Sequence, residues 1–311
     1  MNTGWKSWKP IGSLLAALLL AGWVLPATGH DARDDARRIA VVSAFVPEMT
    51  VLRAGMDDAA VHVVNGVEFV AGTMQGQDVV LFLSGISVVN AAMTVQLALD
   101  HFNIHRIIFS GVAGGVDPSL HIGDVVIADR WGQYLEMLYA RKVGDGWAKP
   151  PFFKYPFANF GMMFPLSVTV QSAGVAAPET RFWFPVDEAL MEYARSAVDD
   201  VVLDRCLLEG PCLQQTPRVV VGGSGVSGSA FIDNAAFREY TFKTFRARVL
   251  DMESAAVAHV AYANDVPFIA VRSLSDLAGG GDGENQIEIF LGLAASNSAA
   301  VVEALLRAMT K

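Results

Sequence analysis

The stretch VLDMESAAVAHVAYANDVPFIAVRSLSDLAG, residues 249–279, decides the fold. Its first half, residues 252–262, is rich in helix-forming residues and predicts a helix with one buried face. Its second half begins with a short apolar run, residues 266–271, which predicts a strand of a buried parallel sheet. Polar residues and glycines follow, so the chain should leave the sheet there. Ligands of open α/β sheets bind beyond the carboxyl ends of such strands, which makes this stretch the first candidate site.

Several polar side chains flank the predicted helix and strand. Glu253 falls at the start of the helix, directly after Met252, while Arg272, Ser275 and Asp276 follow the strand. Taken singly, a Glu in a first helical turn usually complements the helix dipole. An Asp after a strand is usually a turn former. The alternative is that all of them face one ligand.

Taken together, these residues resemble the purine nucleoside phosphorylase/nucleosidase superfamily, and most closely its 5′-methylthioadenosine/S-adenosylhomocysteine nucleosidases. In that family the helix begins with a Met-Glu pair, here Met252-Glu253, and the late strand runs into Arg-x-x-Ser-Asp, here residues 272–276. The resemblance covers residues 39–311 and is weakest between 131 and 215. It implies one catalytic domain over residues 30–311. The alternation of apolar strands with helices predicts the same fold, a single three-layer α/β domain with a twisted mixed central sheet.

A further acidic residue follows the first predicted strand, residues 39–44. Glu48 comes directly after Pro47, where a carboxylate often only marks the start of a helix. The nucleosidases carry an acidic residue at this distance from the strand, and there it activates water. Phosphorylases of the superfamily instead carry a Gly-Asp-Pro-type loop with an arginine for phosphate, and residues 43–48 contain neither glycine nor arginine. The resemblance therefore favours water over phosphate as the nucleophile.

The resemblance implies catalytic roles for four residues. Asp276 protonates the leaving purine, Glu48 deprotonates water with help from Arg272, and Glu253 binds the ribose hydroxyls. A general acid opposite a general base is what inverting cleavage of a glycosidic bond requires. Asp276 must then hold a proton near neutral pH, so its pKa should be raised. The reaction needs no cofactor, and no His/Cys cluster of the sequence has the spacing of a metal site.

Seven further residues are predicted to contact the substrate. Phe231 and Ile232 match the family's Ser-Gly-Asp-x-Phe stretch, in which the Phe stacks on the purine, although Ser229 replaces the usual Asp. A Phe at the root of a loop is by itself more often a core residue. The other predicted contacts are Phe45 and Ile86 on the 5′ side, Gly114 in the glycine run 111–115, Met252 and Ser275.

Two other functions stay open on the sequence: a phosphate-dependent nucleoside phosphorylase, and a non-catalytic exported protein that binds or stores a nucleoside. Val112 stands where many nucleosidases have a serine that helps to hold the attacking water. The aromatic stretch 131–195 is longer than in cytosolic nucleosidases. It is either part of the 5′ pocket and a dimer contact, as the family implies, or an ordinary packed excursion. The family also implies a homodimer and a purine nucleoside substrate, with methylthioadenosine, S-adenosylhomocysteine, adenosine and inosine all open.

The N-terminal residues 1–29 predict a cleaved signal peptide. Lys6 and Lys9 precede an apolar run, residues 11–25, and small residues at 27–29 offer a cleavage site before His30. A retained anchor helix is the alternative, but the run is short for a membrane span. We therefore expect an exported protein, periplasmic in a Gram-negative host.

The net charge limits the expected binding partners, and the two cysteines predict a disulfide. The formal net charge is −9, and loss of Lys6 and Lys9 with the signal peptide takes it to −11. Such an acidic protein is a poor partner for nucleic acid or anionic membranes, so the expected partners are a small nucleoside and water. The two cysteines, Cys206 and Cys212, are predicted to form a disulfide after export, with two free thiols as the alternative.

Overall fold

The structure, a computed structural model, describes residues 35–207, 209–281 and 283–310. The predicted signal peptide lies outside these residues. Six α-helices are described: α1 (Val46–Ala54), α2 (Val88–His101), α3 (Glu188–Ala197), α4 (Ala235–Phe245), α5 (Ser254–Ala263) and α6 (Ile287–Ala308).

The strands of the first half of the chain are β1 (Arg38–Ser43), β2 (Asp57–Val64), β3 (Val67–Met74), β4 (Gln77–Leu83), β5 (Ile104–Gly115), β6 (Val125–Ile127), β7 (Arg130–Gln133), β8 (Met137–Tyr139), β9 (Arg141–Val143) and β10 (Gly146–Ala148). Those of the second half are β11 (Met163–Pro165), β12 (Val168–Val170), β13 (Glu179–Arg181), β14 (Trp183–Pro185), β15 (Val219–Val221), β16 (Ser224–Ser227), β17 (Ala247–Asp251) and β18 (Phe268–Asp276).

One mixed sheet is built around β5. This strand pairs in parallel with β1 and with β18, and its last two residues, Gly114 and Gly115, pair antiparallel with β17. The sheet runs in the order β14-β7-β16-β17-β5-β1-β4-β3-β2, while β18 continues to β6 and β15. Residues 39–42 and 107–109 are fully buried, as expected for parallel strands covered on both faces.

Helices cover this sheet in two groups. α6 packs against β18 and β5 together with α1 and α3, while α5 packs against β16, β18 and α2. Residues 35 onwards belong to one compact unit, so the predicted single three-layer α/β domain with a mixed sheet is confirmed. Within the described residues α6 is the one helix long and apolar enough to span a membrane, but 67% of its apolar window is buried in the protein, as in a core helix.

The predicted end of the late strand is wrong. β18 does not stop at residue 271 but continues through Asp276, and β5 runs through the glycine run to Gly115. All nine residues of β18 are buried, because its polar side chains find partners inside the protein. Arg272, Ser275, Asp276 and Gly114 therefore lie on strands and not in loops beyond them.

Most of the aromatic stretch 131–195 packs as ordinary hydrophobic core. Its rings form a second hydrophobic cluster against α4, in which Phe182 and Phe245 are stacked with centroids 5.4 Å apart. Tyr139, Phe160 and Met163 also line an open cavity of about 770 Å³. The stretch thus builds a local core and contributes one edge of a cavity.

The predicted disulfide is confirmed, since Cys206 and Cys212 are joined with their Cα atoms 4.0 Å apart. The next residue, Leu213, is buried with Phe290 and Leu293 of α6. The crosslinked loop is therefore anchored to the helix that follows the late strand.

Candidate active site

A cavity of about 260 Å³ lies where β1, β5, β17 and β18 end. Ten of the eleven residues predicted to form the site line it. They are Phe45, Glu48, Ile86, Gly114, Phe231, Ile232, Met252, Glu253, Ser275 and Asp276. Arg272, the eleventh, does not line the cavity; it is fully buried and contacts the acidic residues around it. Sequence positions 45 to 276 are thus brought to one place by the parallel core of the sheet.

Glu48 lies in the first turn of α1 and is almost fully buried. Its Oε2 accepts a hydrogen bond of 2.8 Å from the Ala44 N–H, and its Oε1 accepts one of 2.8 Å from the Val112 N–H of β5. Burial raises the pKa of Glu48, while the Arg272 charge and these N–H groups oppose the rise. The side chain therefore both caps a helix and reaches the cavity, so the two interpretations of this residue are compatible.

Asp276 ends β18 with only 4% of its surface exposed. Its Oδ1 accepts a hydrogen bond of 2.7 Å from the Ala278 N–H, and the Ser275 hydroxyl donates to its Oδ2 at 3.1 Å. Burial raises the pKa of Asp276 and outweighs these hydrogen bonds. The raised pKa predicted for this residue is confirmed in direction, and it lets the carboxyl carry a proton closer to neutral pH.

Glu253 immediately precedes α5, and its Oε1 accepts a hydrogen bond of 2.7 Å from the Ser87 N–H. Burial, and then the charge of Asp251, raise the pKa of Glu253 to about 7. Ser87 has φ 85° and ψ 156°, a conformation that essentially only glycine adopts without strain. This strained backbone directs its N–H at the carboxylate.

Arg272 is held by its Nε edge. Nε donates to the Ser254 hydroxyl at 2.8 Å and lies 2.8 Å from Oδ2 of Asp251, and the guanidinium carbon lies 4.0 Å from the Phe109 ring centroid. Nη2 is 3.8 Å from Oε2 of Glu253. Within the described residues neither Nη1 nor Nη2 has a hydrogen-bond partner. The guanidinium of Arg272 is therefore held at Nε, while the N–H groups of Nη1 and Nη2 stay available as donors.

Gly111 makes room for this arrangement. A Cβ at Gly111 would lie 2.1 Å from Nη1 of Arg272 and 2.6 Å from Oε1 of Glu48. The Ser298 hydroxyl of α6 accepts a hydrogen bond of 3.1 Å from the Gly111 N–H, which fixes the backbone there. The glycine run of β5 thus brings the backbone close to two side chains of the site, and not only to a ligand as its sequence indicates.

Four residues of the site's surroundings were missed by the sequence analysis: Ser87, Gly111 as a spacer, Asp251 and Ser254. Only Asp251 had a usable signal, since it directly precedes the Met252-Glu253 pair. The other three act through the backbone or through contacts between distant strands, which no local pattern records.

The fold and the site together indicate the class of this protein: the strand ends of a mixed sheet surround one cavity that is lined by four buried carboxyl groups, Glu48, Asp251, Glu253 and Asp276. Residues 38–307 match the phosphorylase superfamily, and the chain belongs to this superfamily.

Several proteins similar to this chain are nucleosidases. The 5′-methylthioadenosine/S-adenosylhomocysteine nucleosidase of Mycobacterium tuberculosis is 29% identical over 275 residues, covering 88% of this chain and 98% of the relative. The nucleosidase of the same name from Lysinibacillus sphaericus is 32% identical over 268 residues, covering 85% and 96%. The solved nucleosidase from Neisseria meningitidis, in complex with methylthio-immucillin-A, has a TM-score of 0.63 at 26% identity and covers 88% of this chain and 99% of that one.

Gly111→Ala should destabilise the protein. The added methyl cannot be accommodated unless Arg272 or Glu48 moves, and overpacking of this kind costs about 1–3 kcal/mol. We expect the melting temperature to fall by several degrees in a thermal unfolding experiment. Gly146→Ala is the matched control, because the nearest atom to its Cβ is 3.8 Å away. Equal melting temperatures for Gly111→Ala and the wild type would contradict the close packing described.

Glu253→Gln should make the protein more stable at alkaline pH. Because the pKa of Glu253 is about 7 in the folded state and 4.5 ordinarily, the folded state binds more protons in this window. The free energy of unfolding of the wild type therefore falls as pH rises from 4.5 to 7, and a glutamine escapes this loss.

We expect Glu253→Gln to gain up to about 3 kcal/mol over the wild type at pH 8 and much less at pH 4.5. Urea unfolding at the two pH values measures the difference. Glu192→Gln, at an exposed position of α3, is the control and should track the wild type. A gain of the same size at both pH values would show that the ionisation of Glu253 is not its cause.

Proposed function

We propose that this protein is a purine nucleosidase, which hydrolyses the N-glycosidic bond of an adenine nucleoside and releases adenine. The observation that carries the proposal is the pair Glu48 and Asp276. Both are buried carboxyl groups with raised pKa values, and both line one cavity with Glu253 and Phe231. The identity with nucleosidases over most of the chain supports the same reaction.

Asp276 is the general acid. Its raised pKa favours the protonated carboxyl group, and transfer of this proton to N7 of the base neutralises a leaving group that departs poorly as an anion. Phe231 is 56% exposed and lines the same cavity, so its ring is available to stack on the purine.

Glu48 is the general base. Burial makes its carboxylate more basic, so it accepts a proton from water more readily than an exposed glutamate does. The side chain of Val112 offers no hydroxyl to this water, but the Val112 N–H fixes the Glu48 carboxylate. Arg272 does not line the cavity, so it assists through Glu48, on whose carboxyl group its charge acts.

Glu253 binds the ribose hydroxyls and carries negative charge next to the sugar. As the glycosidic bond breaks, the ribose becomes an oxocarbenium cation, and a fixed carboxylate beside it stabilises that charge. The Ser87 N–H holds one oxygen of Glu253 and leaves the other for the substrate.

Water, and not phosphate, is the nucleophile. Three carboxyl groups, Glu48, Asp251 and Glu253, surround the single guanidinium of Arg272. A phosphate dianion placed among them would meet more negative than positive charge, which disfavours its binding.

The substrate class follows from the relatives and the cavity. Phe45, Ile86 and Leu291 line the cavity with apolar surface, which supports an apolar thioether as the 5′ substituent. We therefore place methylthioadenosine and S-adenosylhomocysteine first among the substrates.

A homodimer is the proposed assembly. Large apolar side chains are exposed on α1 (Val46, 64%), on α2 (Val89, 71%, and Met93, 62%) and at Ile86 (49%), which lines the cavity. Exposed apolar side chains of this kind support burial against a second copy. Light scattering at micromolar concentration tests this, and a monomer would contradict it.

Export remains a proposal as well. The charged and apolar pattern of residues 1–29 supports a signal peptide, and the disulfide fits an oxidising compartment such as the periplasm. The N-terminal sequence of the secreted protein should start near His30, and a retained Met1 would contradict cleavage.

Asp276→Asn and Glu48→Gln should each abolish adenine release. Both changes keep the size of the side chain but remove the acid or the base, and general acid–base catalysis contributes about 10²–10⁴-fold. The assay measures the base released with and without phosphate, which is adenine from methylthioadenosine, S-adenosylhomocysteine and adenosine, and hypoxanthine from inosine. Circular dichroism checks folding. Asp145→Asn, in an exposed turn, is the matched control and should keep the wild-type rate.

The alternatives give different results in the same assay. Turnover that requires phosphate would identify a phosphorylase. Absence of base release from every nucleoside would support the binding-protein alternative. Near-wild-type rates for both Asp276→Asn and Glu48→Gln would show that the site assignment is wrong.

A further inference from the structure

Asp251 ends β17 and is 5% exposed, yet it has no role in the proton transfers of the proposed reaction. Its Oδ1 accepts hydrogen bonds from the N–H groups of Glu253 at 3.2 Å and Ser254 at 3.1 Å. The Ser227 hydroxyl donates to the same oxygen. Its other oxygen, Oδ2, lies 2.8 Å from Nε of Arg272. One oxygen is thus committed to the start of α5, and the other lies against the buried arginine as an ion pair, without a hydrogen-bond partner among the described residues.

The acidic groups around Asp251 outnumber the basic ones. The groups that face it are Arg272 of β18, Glu253 before α5 and the hydroxyl of Tyr134, whose pKa is raised by burial and by the Asp251 charge. Glu48 of α1 shares the field of Arg272. A buried charge needs a partner, and Arg272 has three candidates for one positive charge. The shortest contact, 2.8 Å, is with Asp251, whereas Glu253 is 3.8 Å away.

We propose that Asp251 is a positioning residue for the reaction: its carboxylate is the fixed counter-ion of Arg272, which anchors the guanidinium by its Nε edge. Glu48 is then free to accept a proton, and Glu253 is free to bind the ribose. This inference rests on the proposed nucleosidase function. It adds a residue that lines the same cavity but gives or takes no proton in the steps of the reaction.

The physical consequence concerns the basicity of Glu48. The Arg272 charge lowers the pKa of both Glu48 and Glu253, and the Asp251 charge raises that of Glu253. Without Asp251 the positive charge acts on these two carboxylates alone. Glu48 then ionises at lower pH and becomes a weaker base, while the unanchored guanidinium no longer presents its Nη donors in one place.

Asp251→Asn keeps the shape and the Oδ1 acceptor but removes the charge. We expect kcat for adenine release to fall at least about tenfold, with KM changed less, because the substrate contacts remain. The acid limb of the kcat–pH profile should move to lower pH, because Glu48 ionises at lower pH. Ser227→Ala is the matched control: it removes a hydrogen bond to Asp251 and none of its charge, so its acid limb should stay at the wild-type position.

Asp251→Glu keeps the negative charge at position 251 but changes the length of the side chain, so it distinguishes the effect of the charge from that of the shape. If the charge matters, the acid limb of Asp251→Glu lies at the wild-type position; if only the shape matters, Asp251→Asn is the variant that resembles the wild type. An unmoved acid limb in Asp251→Asn, or an equal displacement in Ser227→Ala, overturns the proposal. Should Asp251→Asn not fold, a displaced acid limb in Asp251→Glu overturns it and an unmoved one supports it.

A second readout does not need turnover. Loss of the Asp251 charge lowers the pKa of Glu253 towards its ordinary value, so the free energy of unfolding should fall less between pH 5 and pH 8 in Asp251→Asn than in the wild type. If the wild type releases no adenine, the proposed function fails, and this measurement still decides whether Asp251 controls the charge of the site. An unchanged pH dependence of unfolding overturns the proposal.

Discussion

A single positive charge buried at the centre of the sheet organises this protein. Arg272 has no exposed surface, so its guanidinium must be neutralised by groups that the fold brings to it. Those groups come from the end of β17, from the start of α5 and, through the electrostatic field, from α1. The glycine at position 111 of β5 leaves the space that the guanidinium fills. The late strand can remain in the sheet while carrying polar residues only because these partners are present.

The same burial that makes the site reactive also destabilises it. Glu48, Glu253 and Asp276 all have raised pKa values because they are buried, which means that each is less stable as a carboxylate inside the protein than in water. A carboxylate with a raised pKa is a stronger base, and a carboxylic acid with a raised pKa stays protonated and can donate its proton. The reactivity of the site and its contribution to instability therefore have one physical origin.

The fold and most of the cavity lining were predictable from local patterns. Apolar runs located the strands, and Met252-Glu253 and residues 272–276 located the acids, because these signals are contiguous in sequence. The strand ends were not predictable, because a polar residue such as Arg272 normally marks the exit from a buried strand. Its partners Asp251 and Ser254 lie about 20 residues away along the chain and meet it only through tertiary pairing. The role of Ser87 was hidden for a different reason: it depends on a backbone conformation and on an N–H group, which a side-chain pattern does not record.

The pairing of β5 sets an order of events for folding. One neighbour of this strand, β1, lies before it in the chain, but β17 and β18 come only with residues 247–251 and 268–276. Such long-range pairing has a high contact order, and closure of the intervening loops slows it. A chain delivered N-terminus first can therefore form β1, β3 and β4 early, while the middle of its sheet stays open until nearly all of the polypeptide has arrived. Glu48 and Asp276, from opposite ends of the domain, meet only at that last step.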